Sequence, residues 1–232
     1  MPKGTYTDSE VMLIETLDLG TCDYGESLEI QKELFNRLIA NRKNKTINSV
    51  GYLLFVEHHP VITLGKHGNK SNILFDSNRL ETNGIKVYNI ERGGDVTYHA
   101  PGQLVIYPVL DFGEIGLGVK QYVKILEESI IQTLKKYNLT GVRREGAPGV
   151  WLERNSHFDK ICAIGLKCSR FCSMHGMALN VNTDLDGFKS INPCGFTDSG
   201  VTSIKKEIGA EADIHSVKQI FSDIFFSLIF SF

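Results

Sequence analysis

"GIKVYNIERGGDVTYHAPGQLVIYPVLDF", residues 84–112, carries the reading of the fold. It gives two strands around a glycine-rich centre, "RGGDVTYHAPGQ" (92–103), which therefore reads as a loop held by a rigid scaffold. On the N-terminal side, "SVGYLLFVEHHPVITLG" (49–65) gives a strand, a turn at Pro60 and a short second strand. Before that, "YGESLEIQKELFNRLIANRK" (24–43) places Leu28, Leu34, Phe35, Leu38 and Ile39 on one helical face. On the C-terminal side, "VKQYVKILEESIIQTLKKYN" (119–138) repeats that spacing through Val119, Tyr122, Val123, Leu126, Ile130 and Leu134. "GVWLERNSHFDKICAIGLKCSR" (149–170) and "FCSMHGMALNVN" (171–182) are strand-like, and a final helix is expected near 213–230. There is no internal repeat and no linker-like change of composition. The fold class is α/β (α+β): a single domain over residues 1–232, with helices packed on one or more sheets.

Composition narrows the function. A chain of 232 residues, 42% apolar, can bury a sizeable core. A formal net charge of -2 argues against a nucleic-acid partner. The 22 glycines and 6 prolines predict many tight turns and no low-complexity linker. Five cysteines (22, 162, 168, 172, 194) are an odd set without a small-domain framework, which points to reduced thiols and a cytoplasmic protein. "MPKGTYTDSEVML" lacks the layout of a signal peptide. "IFSDIFFSLIFSF" (220–232) is apolar but holds Asp223 and is too short to span a bilayer, so no membrane association is expected.

The chemistry-bearing residues come in clusters. The 92–103 loop packs Arg92, Asp95 and His99 among Gly93, Gly94, Pro101 and Gly102, without the spacing of a phosphate loop. Its alternative is a well-bonded turn with His99 satisfied by backbone. "SINPCGFTD" (190–198) sets Cys194 between Pro193, whose φ is fixed, and Gly195, which accepts angles other residues resist. Most free cysteines are inert core residues, so the residues alone leave the role of Cys194 open. A cation nearby would lower a thiol's pKa and manage its proton. "DKICAIGLK" offers Lys160 and Lys167, seven apart and on opposite faces of a regular strand, and pattern does not choose between them. His58, His99 and His175 stand in polar or glycine-rich contexts that suit a shared cleft. Cys162, Cys168, Cys172 and His175 contain zinc-ligand residue types, but at poor spacing and with no C-x2-C knuckle.

Together, "RGGDVTYHAPGQLVIYPVLDF", "GAPGVWLE", "KICAIGLKCSRFCSMHGMALNV" and "INPCGFTDSGVTS" closely resemble the lipoyl(octanoyl) transferases, in order from about Leu19 to Ile204. That resemblance implies the fold of the biotin/lipoate ligase catalytic domain, a mixed sheet flanked by helices. It also implies transfer of an octanoyl group from octanoyl-acyl carrier protein to a lysine of lipoyl domains. The implied acceptors are the 2-oxoacid dehydrogenase E2 subunits and the glycine cleavage H protein. Neither cofactor nor metal is implied. Residue by residue, the family's nucleophile falls on Cys194 and its acid/base lysine on Lys160. Its binding residues fall on Arg92, Gly93, Gly94, Tyr98, His99, Ala163, Ile164, Gly165, His58, His175, Gly176 and Ala178. One departure is Ala100, where the family usually has glycine; its methyl could crowd the loop or the acyl pocket. An ATP-using lipoate or biotin ligase would share the fold but has no use for a nucleophilic cysteine. A non-catalytic lipoyl-domain-binding module could lose Cys194 without consequence.

Overall fold

The computed structural model describes residues 14–46, 49–155, 157–192 and 199–231. An edge strand, β1 (Ile14–Cys22), leads into helix α1 (Tyr24–Asn44), where the Asp23 carboxylate caps the first turn by accepting from the Gly25 N–H at 2.9 Å. The expected apolar face is there. Leu34, Phe35 and Leu38 are buried, Leu28 and Ile39 partly so, and the stripe continues through buried Tyr24, Ser27 and Gln31. Next come β2 (Gly51–His58) and β3 (Val61–Leu64), which flank the turn at Pro60 as expected.

The glycine-rich stretch holds one strand more than the sequence suggested. After α2 (Ser77–Thr82) and β4 (Lys86–Asn89), the segment read as a single loop contains β5 (Val96–His99) before β6 (Gln103–Leu110). β5 pairs antiparallel with β3, and β4 pairs parallel with its other edge, so these three form a small sheet of their own. Only four residues long and bracketed by turns, β5 offers too little alternation to register as a strand.

The remaining strands complete an eight-stranded mixed sheet, seven of them ordered β1-β2-β6-β10-β9-β8-β7 and the eighth, the last in the chain, paired to β9 off that path. α3 (Val119–Lys135) precedes β7 (Gly141–Arg144), β8 (Ala147–Arg154), β9 (His157–Ser169) and β10 (Cys172–Asn180). The strand-like run 149–170 is therefore two strands, divided where Asn155 takes the left-handed region (φ 47°). β11 (Ser199–Val201) pairs parallel with β9 and leads to α4 (Ile204–Ile208) and α5 (Ile214–Ile229), the expected final helix.

Strand alternation divides the core between the two faces of the sheet. Leu53, Phe55, Leu104, Ile106, Leu110 and Leu179 meet α3 and α5 through Tyr122, Leu126, Ile130, Phe221 and Phe225. Leu54, Val56, Val105, Tyr107, Val109 and Ala178 lie on the opposite face with Leu34, Phe35 and Leu38 of α1. Of the face expected on α3, Tyr122, Leu126, Ile130 and Leu134 are buried, whereas Val119 is exposed at the helix start. Cys162 joins the first core and Cys172 the second, so the strand pleat sends these two thiols to opposite faces. Among the described residues no helix is long and apolar enough to cross a membrane, and Cys22, Cys162, Cys168 and Cys172 are free thiols.

Candidate active site

A cavity of about 480 Å³ opens on the α1 face of the main sheet, walled by the small sheet and the Arg92–Gly94 turn. Its floor is made of small residues. On β9 and β10, Ala163 pairs with Ala178 and Gly165 with Gly176 across the strands. A Cβ on Gly165 would sit 2.9 Å from Arg92 Cδ and 3.0 Å from the Gly93 carbonyl, so glycine is what lets the turn lie against the sheet. The Gly93 N–H completes that contact by donating to the Leu166 carbonyl at 2.8 Å. The buried Arg92 braces the turn, its Nη2 donating to the Thr63 carbonyl at 2.7 Å and to the Thr63 hydroxyl at 2.9 Å.

Lys160 reaches this cavity because β9 is not regular. Val150 pairs with Cys162 but Trp151 pairs with Lys160, which leaves Ile161 as an extra residue, a β-bulge. Ile161 and Cys162 therefore both enter the first core. The bulge turns Lys160 out of that core and into the cavity, on the face that carries Ala163 and Gly165. This corrects the expectation that Lys160 and Lys167 take opposite faces. Lys167 is also on the α1 side, with Nζ 5.6 Å from the Phe35 ring centroid and an ion pair to Glu91. Backbone bonds fix the Lys160 segment: Val201 of β11 is its strand partner, and the Thr202 N–H donates to its carbonyl at 3.0 Å.

The three histidines are buried and neutral. His58 Nδ1 donates to the Cys22 carbonyl (3.0 Å), so its Nε2 accepts from the Tyr107 hydroxyl (2.8 Å). Burial lowers its pKa to about 4. His99 Nδ1 donates to Gln103 Oε1 at 2.7 Å, and Gln103 Nε2 donates on to Asn180 Oδ1 at 2.9 Å. Asn180 Nδ2 in turn donates to the Thr202 carbonyl at 2.9 Å, linking His99 to the segment that pairs with Lys160. Burial first, then the neighbouring His58, takes the His99 pKa down to about 3. His175 has φ 61°, unusual for a strand residue, and its N–H leaves the ladder for Gln31 Oε1 of α1 at 3.1 Å. Its pKa also falls to about 3, through burial and then Arg92, and among the described residues its Nδ1 has no hydrogen-bond partner.

Most of the expected binding residues meet here. Arg92, Gly93, Gly94, His99, Ala163, Ile164, Gly165, His175, Gly176 and Ala178 all line the cavity with Lys160. Two do not reach it. His58 is fully buried behind Tyr107, and the Tyr98 ring packs on Phe188 in a separate apolar cluster. Ala100 joins that same cluster, so its methyl is spent on packing away from the cavity. Cys194 lies outside the described residues; Ser199, five positions later, lines the cavity. Sequence reasoning missed Tyr24, Tyr107, Gln103, Asn180 and Trp151 as cavity residues. All but Tyr24 sit inside stretches that carried the resemblance: Gln103 and Tyr107 in "RGGDVTYHAPGQLVIYPVLDF", Trp151 in "GAPGVWLE" and Asn180 in "KICAIGLKCSRFCSMHGMALNV".

The family profile of the lipoyl protein ligase A/B catalytic domain matches residues 23–226. A relative from Parabacteroides distasonis, named octanoyltransferase, is 48% identical over 213 residues, covering 91% of this chain and 96% of its own. The chain belongs to the octanoyltransferase family. A Porphyromonas gingivalis octanoyltransferase is 47% identical over 90% of the chain, which spans only 42% of that longer relative. Among solved structures, a bipartite lipoate protein ligase from Thermoplasma acidophilum superposes with TM-score 0.67 at 17% identity, covering 94% of this chain and 84% of its own. A biotin protein ligase from Aquifex aeolicus gives 0.53 at 13% identity, with coverages of 93% and 70%. At such identities the likeness is one of fold, and it establishes the ligase-like catalytic fold. Membership makes this octanoyltransferase-family chain a transferase, and its cavity the place to look for the chemistry.

Proposed function

We propose that this enzyme carries an octanoyl group from octanoyl-acyl carrier protein to a lysine of lipoyl domains through a thioester on Cys194. The acceptors are lipoyl domains of 2-oxoacid dehydrogenase E2 subunits and the glycine cleavage H protein, and the work is done in the cytoplasm without metal or cofactor. One observation carries the proposal: in a chain of this family, a strand bulge delivers Lys160 into a cavity floored by Ala163, Ala178 and two glycines. The cavity volume falls within the roughly 300–1,000 Å³ typical of small-molecule sites.

The chemistry balances with one thiol and one amine. Lys160 Nζ takes the Cys194 Sγ proton, and the thiolate attacks the carbonyl carbon of the carrier thioester. The tetrahedral intermediate collapses, the C–S bond to the carrier breaks, and the leaving thiolate recovers the proton from Lys160. The acceptor amine then attacks the acyl-enzyme and gives a proton to Lys160. Cys194 leaves as thiolate and is reprotonated as the amide is released. Because a thioester is already activated, no nucleotide enters either half.

The fold is shared with ligases, one of them solved with bound ATP at TM-score 0.66, so an ATP-dependent ligase is the second reading. The test separates them directly. Octanoyl-carrier and an apo lipoyl domain should yield octanoyl-lysine without ATP and in the presence of a chelator, while free octanoate with Mg-ATP yields none. Product from the free acid and ATP alone would move the chain to the ligase class. Binding without product in either mixture would leave a non-catalytic module.

A further inference from the structure

Beside Lys160 stands the chain's one tryptophan. Trp151 is its cross-strand partner at the bulge, and Lys160 Nζ lies 4.4 Å from the centroid of the indole ring. The ring is held: it is 1% exposed, and its Nε1–H donates to the Ala147 carbonyl at 3.1 Å. An indole face carries negative charge density and attracts an ammonium, but holds a neutral amine much less. A rigid ring of this kind, on the strand beside the lysine, therefore discriminates between the two protonation states of Lys160.

We propose that Trp151 is a positioning residue for acyl transfer, its indole face receiving the Lys160 ammonium formed when the thiol gives up its proton. This rests on the reading of Lys160 as the acid/base of a Cys194 acyl-enzyme. Trp151 forms no bond to the acyl group. It fixes the direction of Nζ and favours the charged amine, and with it the thiolate, in the step before attack. Charged and titratable groups also stand on the neighbouring elements, and Arg92 and His175 line the same cavity as Lys160. Arg144 of β7 has its guanidinium 5.4 Å from the same ring centroid. Asp159 and His157 precede Lys160 on β9, and Glu127 of α3 accepts from the Gly149 N–H of β8 at 3.2 Å. β11 contributes Ser199, Gly200 and Val201, none of them titratable.

Because the chain has a single tryptophan, growth on fluorotryptophans alters this ring alone. Fluorine withdraws density from the ring face with little change of shape. The protein carrying tryptophan and its mono-, di- and trifluorinated forms is compared by two readouts. One is the pH dependence of Cys194 alkylation by iodoacetamide, followed by peptide mass. The other is kcat and KM for octanoyl-carrier. Stepwise fluorination should raise the apparent thiol pKa, by about one unit across the series, equivalent to a tenfold change. Over the same series kcat should fall roughly tenfold with KM unchanged, and Trp151→Phe should lie between tryptophan and Trp151→Leu. Flat pKa and kcat across the series, in protein that still forms the acyl adduct, would overturn the role of Trp151 alone. Absence of any adduct in the tryptophan protein would instead overturn the reading on which it rests.

Discussion

At the scale of single residues, the two lysines of β9 make the sharpest contrast. Both point to the α1 side of the sheet, but Lys160 lines the cavity while Lys167 pairs with Glu91 beside α1. Lys160→Arg keeps a cation but cannot give up its proton near neutral pH. Octanoyl transfer should therefore fall at least about 100-fold, the lower end of what a general acid–base contributes. Lys167→Ala should transfer at a near wild-type rate. Steady-state rates of the two variants check this, and the reverse pattern would show that the acid/base is Lys167. What the sequence lacked was the bulge. Alternation in "DKICAIGLK" puts the lysines on opposite faces, and only the extra Ile161, absorbed into the core with Cys162, brings them to the same one. A resemblance could name Lys160; periodicity could not.

At the scale of elements, β6 and β10 meet imperfectly, and the mismatch shapes the cavity wall. Pro108 in the middle of β6 has no N–H for the ladder. Ser173 fills the gap: its hydroxyl donates to the Pro108 carbonyl at 2.8 Å and accepts from the Leu110 N–H at 3.2 Å, with Tyr122 at 3.0 Å. Two residues on, His175 takes φ 61° and turns its N–H to Gln31 of α1. Ser173→Ala removes the partner of the buried Leu110 N–H, while the Pro108 carbonyl keeps the Tyr122 hydroxyl at 3.2 Å, and should cost about 1–3 kcal/mol in urea unfolding. No loss of stability would mean that the ladder closes without the hydroxyl. The sequence made α1, α3, β2, β6 and α5 legible because each has a long apolar run or a clear helical stripe, and the turn at Pro60 marked the short β3. β5 was hidden, being four residues among glycines, and β1 went unread because most of its residues are solvent-facing. The break in 149–170 needed Asn155 in the left-handed region, and no apolar pattern encodes that.

At the scale of the whole molecule, three neutral histidines buried between the sheets and α1 couple stability to pH. An unfolded chain protonates them near the ordinary value of 6.5, whereas in the fold their pKa values are about 4 for His58 and about 3 for His99 and His175. The unfolded state thus binds the extra protons as pH falls below about 6.5. Stability is full above that point and declines on acidification toward the folded pKa values. The slope is about 1.4 kcal/mol per pH unit for each histidine protonated only in the unfolded state. Urea unfolding between pH 7.5 and 5 should show this loss, and His99→Asn should make the dependence shallower, whatever its effect at pH 7.5. An equal slope in that variant would remove His99 from the account. The central claim concerns a thioester on one cysteine, and intact-protein mass after brief mixing with octanoyl-carrier tests it most directly. The wild-type chain should gain one octanoyl group, mapped by peptide mass to Cys194, and lose it when an apo lipoyl domain is added. Cys162→Ala should acylate and transfer like the wild type, and Cys194→Ala should fold without gaining the group. Transfer by Cys194→Ala at a near wild-type rate would contradict the account.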